Sequence, residues 1–325
     1  MAVVAIMEAM RASRFLADLT TRDRDGRMLL LTVPVGILAA IVAALLGAVA
    51  ACLAVLVLVS GLDGVPTATA LFASFDQPAM AETNARASLF LLAVLAGANG
   101  AAALAFVAVA AGLTHRPWRR YIIVEQGFRT RLLIAGLVVV ALAMSALILA
   151  TAAFGVALPR PPVLDLAPTA VGRVTYAAFA VLLLVIAAAA EEIVFRGWLL
   201  KHTAAFSRNP LWLMGINGLL FAAIHLDPNP DAFLLRMAMG AGLTWMTLRT
   251  GGIELAIGAH AANNIVILLL VRPLTLQGDT PHGFQPASLL SVLVIGVGYA
   301  ALAEAVGRWP AMTRWIDGRS DPSPV

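Results

Sequence analysis

Two adjacent acids, Glu191 and Glu192, and a base, Arg196, stand at the end of the apolar run AAFAVLLLVIAAAA, where a membrane helix should still be running. An ionisable side chain at the centre of a bilayer costs about 2.5–3.5 kcal/mol on insertion scales, so such groups face the protein interior or a wet cavity and mark a site. Glu192 and Arg196 are four residues apart in the favourable acid-before-base order, and the pair neutralises itself. Glu191 points about 100° away around the same helix and is left for a cavity. There, a carboxylate shielded from bulk water suits a general base. Further along, Phe221 and His225 share one helix face, and so do His260 and Asn264. His225 suits orienting the same water or carrying its proton. His260 and Asn264 offer hydrogen-bond donors one turn apart, an arrangement able to stabilise an oxyanion as water adds to a carbonyl. Glu191, His225, His260 and Asn264 together read as a water-activating hydrolase site needing no Ser or Cys nucleophile.

These residues need a membrane scaffold. The 325-residue chain is 61% hydrophobic and 12% charged, with a mean hydropathy of +0.91. Soluble domains are nearer 45–50% apolar and about 25% charged, and one globular core cannot hide this much apolar surface. The pattern predicts an all-α, polytopic transmembrane bundle of about eight spans, at 33–60, 88–112, 132–156, 174–200, 210–226, 232–249, 253–271 and 287–306. The fifth and sixth are short. Residues 28–62 exceed one span but hold no polar turn, so they read as one helix. Dense Ala and Gly, as in LAGANGAAALAF, predict close helix approach. Glu191 and His225 each lie seventeen residues from Arg208, which sits in the turn SRNP. In a plain antiparallel hairpin they therefore share one depth, about 25 Å from the turn. His260, eight residues beyond Gly252, is expected to be shallower, at about 12 Å.

Lys and Arg set the orientation. Five lie in the tail 1–27, five in the loop after the second span (Arg116, Arg119, Arg120, Arg129, Arg131), two after the fourth (Lys201, Arg208), one after the sixth (Arg249) and three in the C-terminal tail, sixteen in all. The alternating loops hold Arg86, Arg160, Arg173 and Arg272. This bias predicts a multi-pass cell-membrane protein with both termini cytoplasmic. It also reads as topology rather than nucleic-acid binding. DPNPD (227–231) and RTGG (249–252) read as turns, and the end of the chain, DGRSDPSPV, as disordered. Cys52 is alone and reads as a small buried hydrophobe. The organisation expected is a tail with three spans (1–156), an extracytoplasmic Pro-rich linker (157–173), a four-span catalytic core (174–271), and a last span with a cytoplasmic tail (272–325).

EEIVFR, FAAIH and HAANN resemble the three motifs of the intramembrane endopeptidases related to CAAX prenyl protease 2 and the bacteriocin-processing enzymes, the CPBP or Abi family: Glu-Glu-x-x-x-Arg, Phe-x-x-x-His and His-x-x-x-Asn. Glu191, Glu192 and Arg196 match the first, Phe221 and His225 the second, His260 and Asn264 the third. The resemblance covers about 174–271 and implies peptide-bond hydrolysis at or within the membrane. In eukaryotic relatives it implies release of the last three residues of a prenylated protein. It also implies water activation by the first glutamate and first histidine, and an oxyanion hole from the last histidine and the asparagine. The family is called a metallopeptidase family. Glu191, His225 and His260 could supply three zinc ligands with water as the fourth, or work metal-free. The implied partner is a membrane-associated peptide or protein substrate.

The other polar residues have plainer readings. Asn263 packs behind the site, and Asn217 is a packing group. Arg236 snorkels or pairs with Asp231. Glu254 is an acid at a helix N-terminus. The cluster Arg116–Arg120, with Trp118 and Tyr121, is an interfacial anchor. Two other functions fit buried Glu and His: a proton-coupled transporter, against which the lack of clear repeats weighs, and a membrane immunity or scaffold protein that does not use the site.

Overall fold

The computed structural model describes residues 2–77, 79–123, 127–155, 157–275, 280–286, 288–309, 312 and 315. The segment 317–325, expected to be disordered, lies outside them. The protein is an all-α polytopic membrane bundle. A short N-terminal helix, α1 (Ala2–Arg11), precedes α2 (Gly26–Asp63), a single 38-residue helix over the long first apolar run. Asp25 caps α2 by accepting from the Arg27 N–H, and Gly64, at φ 88°, ends it. The short helices α3 (Val65–Phe72) and α4 (Met80–Thr83) lead to α5 (Ala85–Thr114), capped by Asn84. Then come α6 (Thr130–Ala153) and α7 (Pro162–Leu166), the latter a helical turn inside the stretch expected to be a plain Pro-rich linker. Next, α8 (Ala170–Glu192) runs through a π-helical stretch, Ile193–Leu199, into α9 (Leu200–Phe206). After the SRNP turn follow α10 (Pro210–Ala223) and α11 (Pro230–Thr250), which Gly251 closes at φ 69°. Last are α12 (Glu254–Val266), continued as a π-helix over Ile267–Val271, and α13 (Ser288–Arg308).

Helices occupy all eight expected stretches, but among the described residues six are long and apolar enough to cross a membrane: α2, α5, α6, the continuous 170–206 helix, 254–271 and α13. The expected fifth and sixth spans are the exceptions. The first, α10, is apolar but has only 14 residues. The second, α11, has 21 but carries Asp231, Arg236 and Arg249. None of the most apolar part of α2 is buried within the protein, whereas most of 254–271 is. The helix bearing His260 is thus the central one, and α2 turns its surface outward to lipid.

Glycines set the helix spacing, as the Ala/Gly-rich sequence suggests. A Cβ on Gly47 of α2 would strike the Gly97 carbonyl of α5. The contact of α12 with α6 is closer to the site. A Cβ on Gly258 would run into the Leu133 carbonyl, and one on Gly136 would lie 2.5 Å from the Leu255 oxygen. Both obstacles are backbone, so neither rotates away. Gly258→Ala is expected to destabilise the protein by about 1–3 kcal/mol, the range of an overpacked core. Gly298→Ala, where nothing lies within 4 Å, is expected to be neutral or slightly stabilising. Thermal unfolding of the two variants in detergent checks this.

At one end of the bundle the Arg- and Lys-rich segments meet. Asp18 accepts from Arg116 Nη1 at 2.6 Å and Lys201 Nζ at 2.7 Å, and Asp23 from Arg116 Nη2 at 2.6 Å. Arg14 and Arg129 donate to the Thr250 carbonyl, and Arg208 to that of Leu16. The N-terminal segment, the loop before α6, the end of α9 and the end of α11 therefore share one end of the bundle. Arg116 departs from its expected role: it is a buried tie for the N-terminal segment, and Arg119 is the one over the Trp118 ring. Cys52 is half-buried, packed among Leu71, Ala87 and Phe90.

Candidate active site

The π-helical turn after Glu192 buries four successive residues, Phe195, Arg196, Gly197 and Trp198, more than one face of an α-helix would. Such turns cluster at functional sites. Gly197 permits it: a Cβ there would strike the Tyr121 carbonyl. Arg196 is carried wholly inside. Its Nη1 donates to Glu192 Oε1 at 2.8 Å and its Nη2 to the Gly240 carbonyl at 2.9 Å, with the guanidinium 4.7 Å from the centre of the Phe221 ring. The expected Glu192–Arg196 pair thus forms, with both side chains fully buried.

The sequence does not reveal that Glu192 has a second partner. His260 Nδ1 donates to the same Oε1 at 2.8 Å. One carboxylate therefore joins α8, the π-turn and α12. With Nδ1 engaged, the other ring nitrogen, Nε2, faces Glu191 and stands 3.8 Å from its Oε2. Counting residues from the turns set His260 shallower than Glu191, yet the two side chains meet. Phe221 packs edge-on to Phe195 and His260 and lies 4.9 Å from the His225 ring. His225 Nδ1 donates to the Phe221 carbonyl at 2.7 Å, which leaves its Nε2 as an acceptor.

Glu191, His225, His260, Asn263 and Asn264 line one cavity of about 370 Å³, so side chains from α8, the end of α10 and α12 converge. Asn263 Nδ2 donates to Asn264 Oδ1 at 3.2 Å, which occupies that oxygen and leaves the Asn264 amide N–H groups available as donors. Glu191 and His225 also border a second, mostly apolar cavity of about 480 Å³ between α2, α5 and the start of the π-turn, with Ile37, Ile41, Asn99 and Phe106 in its walls. Two carboxylates, one guanidinium and an imidazolium at His260 would make the cluster electrically neutral.

Other readings change. Arg236 lines the polar cavity and pairs with Asp227 at 2.6 Å, not with Asp231, which accepts from the Gln285 N–H. Glu254 is more than an acid at a helix start: it is fully buried and held by Arg129 at 2.7 Å. Asn217 is a packing group, donating to Leu213 O and Thr203 Oγ1. Among the described residues no three His, Cys, Asp or Glu side chains gather closely enough to hold a metal ion. Glu191, His225 and His260 as arranged therefore do not form a ready-made zinc site.

Residues 173–266 match the family described as type II CAAX prenyl endopeptidase Rce1-like. A CAAX-protease-like, CPBP-related domain is present over that stretch, and all seven motif residues fall within it. A curated relative, the uncharacterized protein YyaK of Bacillus subtilis (strain 168), is 38% identical over 101 residues, which is 29% of this chain and 33% of that protein. The chain thus spans about a third of the length of the curated relative it matches. No solved structure matches.

Proposed function

We propose that the protein is an intramembrane endopeptidase that hydrolyses a peptide bond with activated water. The observation that carries this reading is the meeting of Glu191, His225, His260 and Asn264 in one cavity, within a CAAX-protease-like domain. Glu191 takes a proton from water as its oxygen attacks the scissile carbonyl carbon, and His225 Nε2 accepts the second water hydrogen bond and orients it. The oxyanion receives N–H donors from His260 Nε2 and Asn264 Nδ2. To donate from Nε2 while Nδ1 donates to Glu192, His260 must carry both protons, which the neutral charge balance of the cluster favours. As the tetrahedral intermediate collapses, the C–N bond breaks and the proton held by Glu191 passes to the leaving amine.

The two cavities that share Glu191 and His225 support a membrane-associated substrate, with an apolar portion between α2 and α5 and the scissile carbonyl toward α12. The basic end of the bundle faces the cytoplasm by the usual Lys/Arg rule. The test is reconstitution: purified protein in vesicles, offered membrane-spanning peptides, with products read by mass spectrometry. Time-dependent cleavage is expected. Vesicles that pass protons or solute but leave every peptide whole would point to a transporter instead.

A further inference from the structure

The stretch LAGANGAAALAF, whose small residues allow close helix packing, also carries one amide. Asn99 stands midway along α5, and between Ser88 and Thr114 no other side chain of that helix has a hydrogen-bonding group. A polar residue at that depth either ties its helix to a neighbour or serves function. Asn99 is no tie: its side chain makes no hydrogen bond among the described residues. It is half-buried and stands in the wall of the mostly apolar cavity of about 480 Å³. Three polar side chains line that cavity, and the other two are Glu191 and His225. Asn99, Ala102, Ala103 and Phe106 lie at helical spacing along the face of α5 that borders it. The amide therefore opens into the same space as the two groups that activate water in the proposed reaction. It does so from a helix outside the matched residues 173–266.

We propose that Asn99 binds the main chain of the substrate, at an unwound stretch of a membrane-embedded peptide beside the scissile bond. A helix in lipid satisfies its own N–H and C=O groups, and opening it for hydrolysis sets some of them free. Apolar walls offer those groups no partner. A carboxamide has an acceptor oxygen and two N–H donors, so one Asn side chain answers both the N–H and the C=O of a peptide unit. A hydrocarbon chain would give it no partner, and a cavity holding only such a chain would be better lined by leucine at this position. The occupant that fits is therefore peptide backbone. Asn99 touches the substrate away from the reacting atoms. Its effect on cleavage rests on the hydrolase reading, whereas its hold on the peptide does not.

The probe is a fluorescent, membrane-spanning Leu/Ala peptide of about 20 residues with a central Gly-Pro break. Its binding is measured on Glu191→Gln protein in detergent, so that cleavage does not consume it. Adding Asn99→Leu is expected to weaken binding about ten-fold, with the unfolding midpoint unchanged or raised, since no hydrogen bond within the protein is lost. Backbone amides beside the break are then replaced by esters one at a time. One ester should weaken binding to the Asn99 protein about ten-fold and cost nothing further in Asn99→Leu, the mark of a direct contact. Ser145→Ala, a polar residue of α6 that lines neither cavity, is the control and should change nothing. Equal or tighter binding by Asn99→Leu, no binding by the Asn99 protein, or ester penalties that persist in Asn99→Leu would each overturn the proposal. Asn99-dependent binding in a protein that cleaves no peptide sustains it and removes the hydrolase reading. Peptide cleavage alongside any of the overturning results removes the role of Asn99 and leaves the hydrolase reading standing.

Discussion

Glu191→Gln is expected to lower peptide turnover by on the order of 10³-fold or more, within the range attributed to a general base, while membrane insertion and thermal stability stay near wild type. The two halves of that expectation have one structural cause. Glu191 Oε2 is buried and makes no hydrogen bond among the described residues, and its nearest basic atom, His260 Nε2, stands off at 3.8 Å. Glutamine has the same shape, so the replacement breaks no hydrogen bond, and the neighbouring Glu192 keeps Arg196 and His260 in place. What it loses is the capacity to accept a proton from water. Glu191→Asp keeps that capacity but retracts the carboxylate by one methylene, and misplacement on this scale costs about 10²-fold. It should therefore fall between wild type and Gln. Rates are read in vesicles alongside thermal unfolding of the same preparations. Full turnover by well-folded Glu191→Gln protein would remove the carboxylate from the mechanism.

The convergence of these side chains was legible because membranes make polar residues costly. Against 61% hydrophobic composition, a handful of Glu, His and Asn residues stands out. The count of seventeen residues either side of the SRNP turn placed Glu191 and His225 together, and both border the same two cavities. Helical phase alone separated Glu191 from Glu192. The structure sends the first to the cavity and buries the second.

Contacts between distant helices lay beyond that reach. The Glu192–His260 bond spans 68 residues, and no local pattern signals it. Arg236 pairs with Asp227, nine residues back across a turn, whereas Asp231 accepts from the backbone N–H of Gln285. Charge density made Arg116 look superficial, yet its two partners, Asp18 and Asp23, come from a tail about a hundred residues earlier. Of the eight expected spans, α10 and α11 are the two that fall short of the length and apolarity of a membrane-crossing helix. Hydrophobic periodicity marks a helix but does not say whether it crosses lipid.

Glu192→Gln should separate two meanings of the second acid. Sequence spacing alone makes it the partner of Arg196, a structural role. The structure adds His260, held by the same oxygen. With glutamine, Arg196 becomes a buried cation with no carboxylate, and breaking one side of such a pair typically costs about 3–5 kcal/mol. The unfolding midpoint should drop clearly. Turnover should also fall by about 10²-fold or more, the scale of a lost oxyanion donor, since His260 no longer has the carboxylate that holds its ring and balances its charge. The double variant Glu192→Gln/Arg196→Met distinguishes the two losses. Removing the stranded cation should restore much of the stability, because an apolar replacement for a buried ion pair is often tolerated. Turnover should stay low, because His260 is still without its carboxylate. If activity returned together with stability, Glu192 would act only through Arg196, and the His260 contact would carry no catalytic weight.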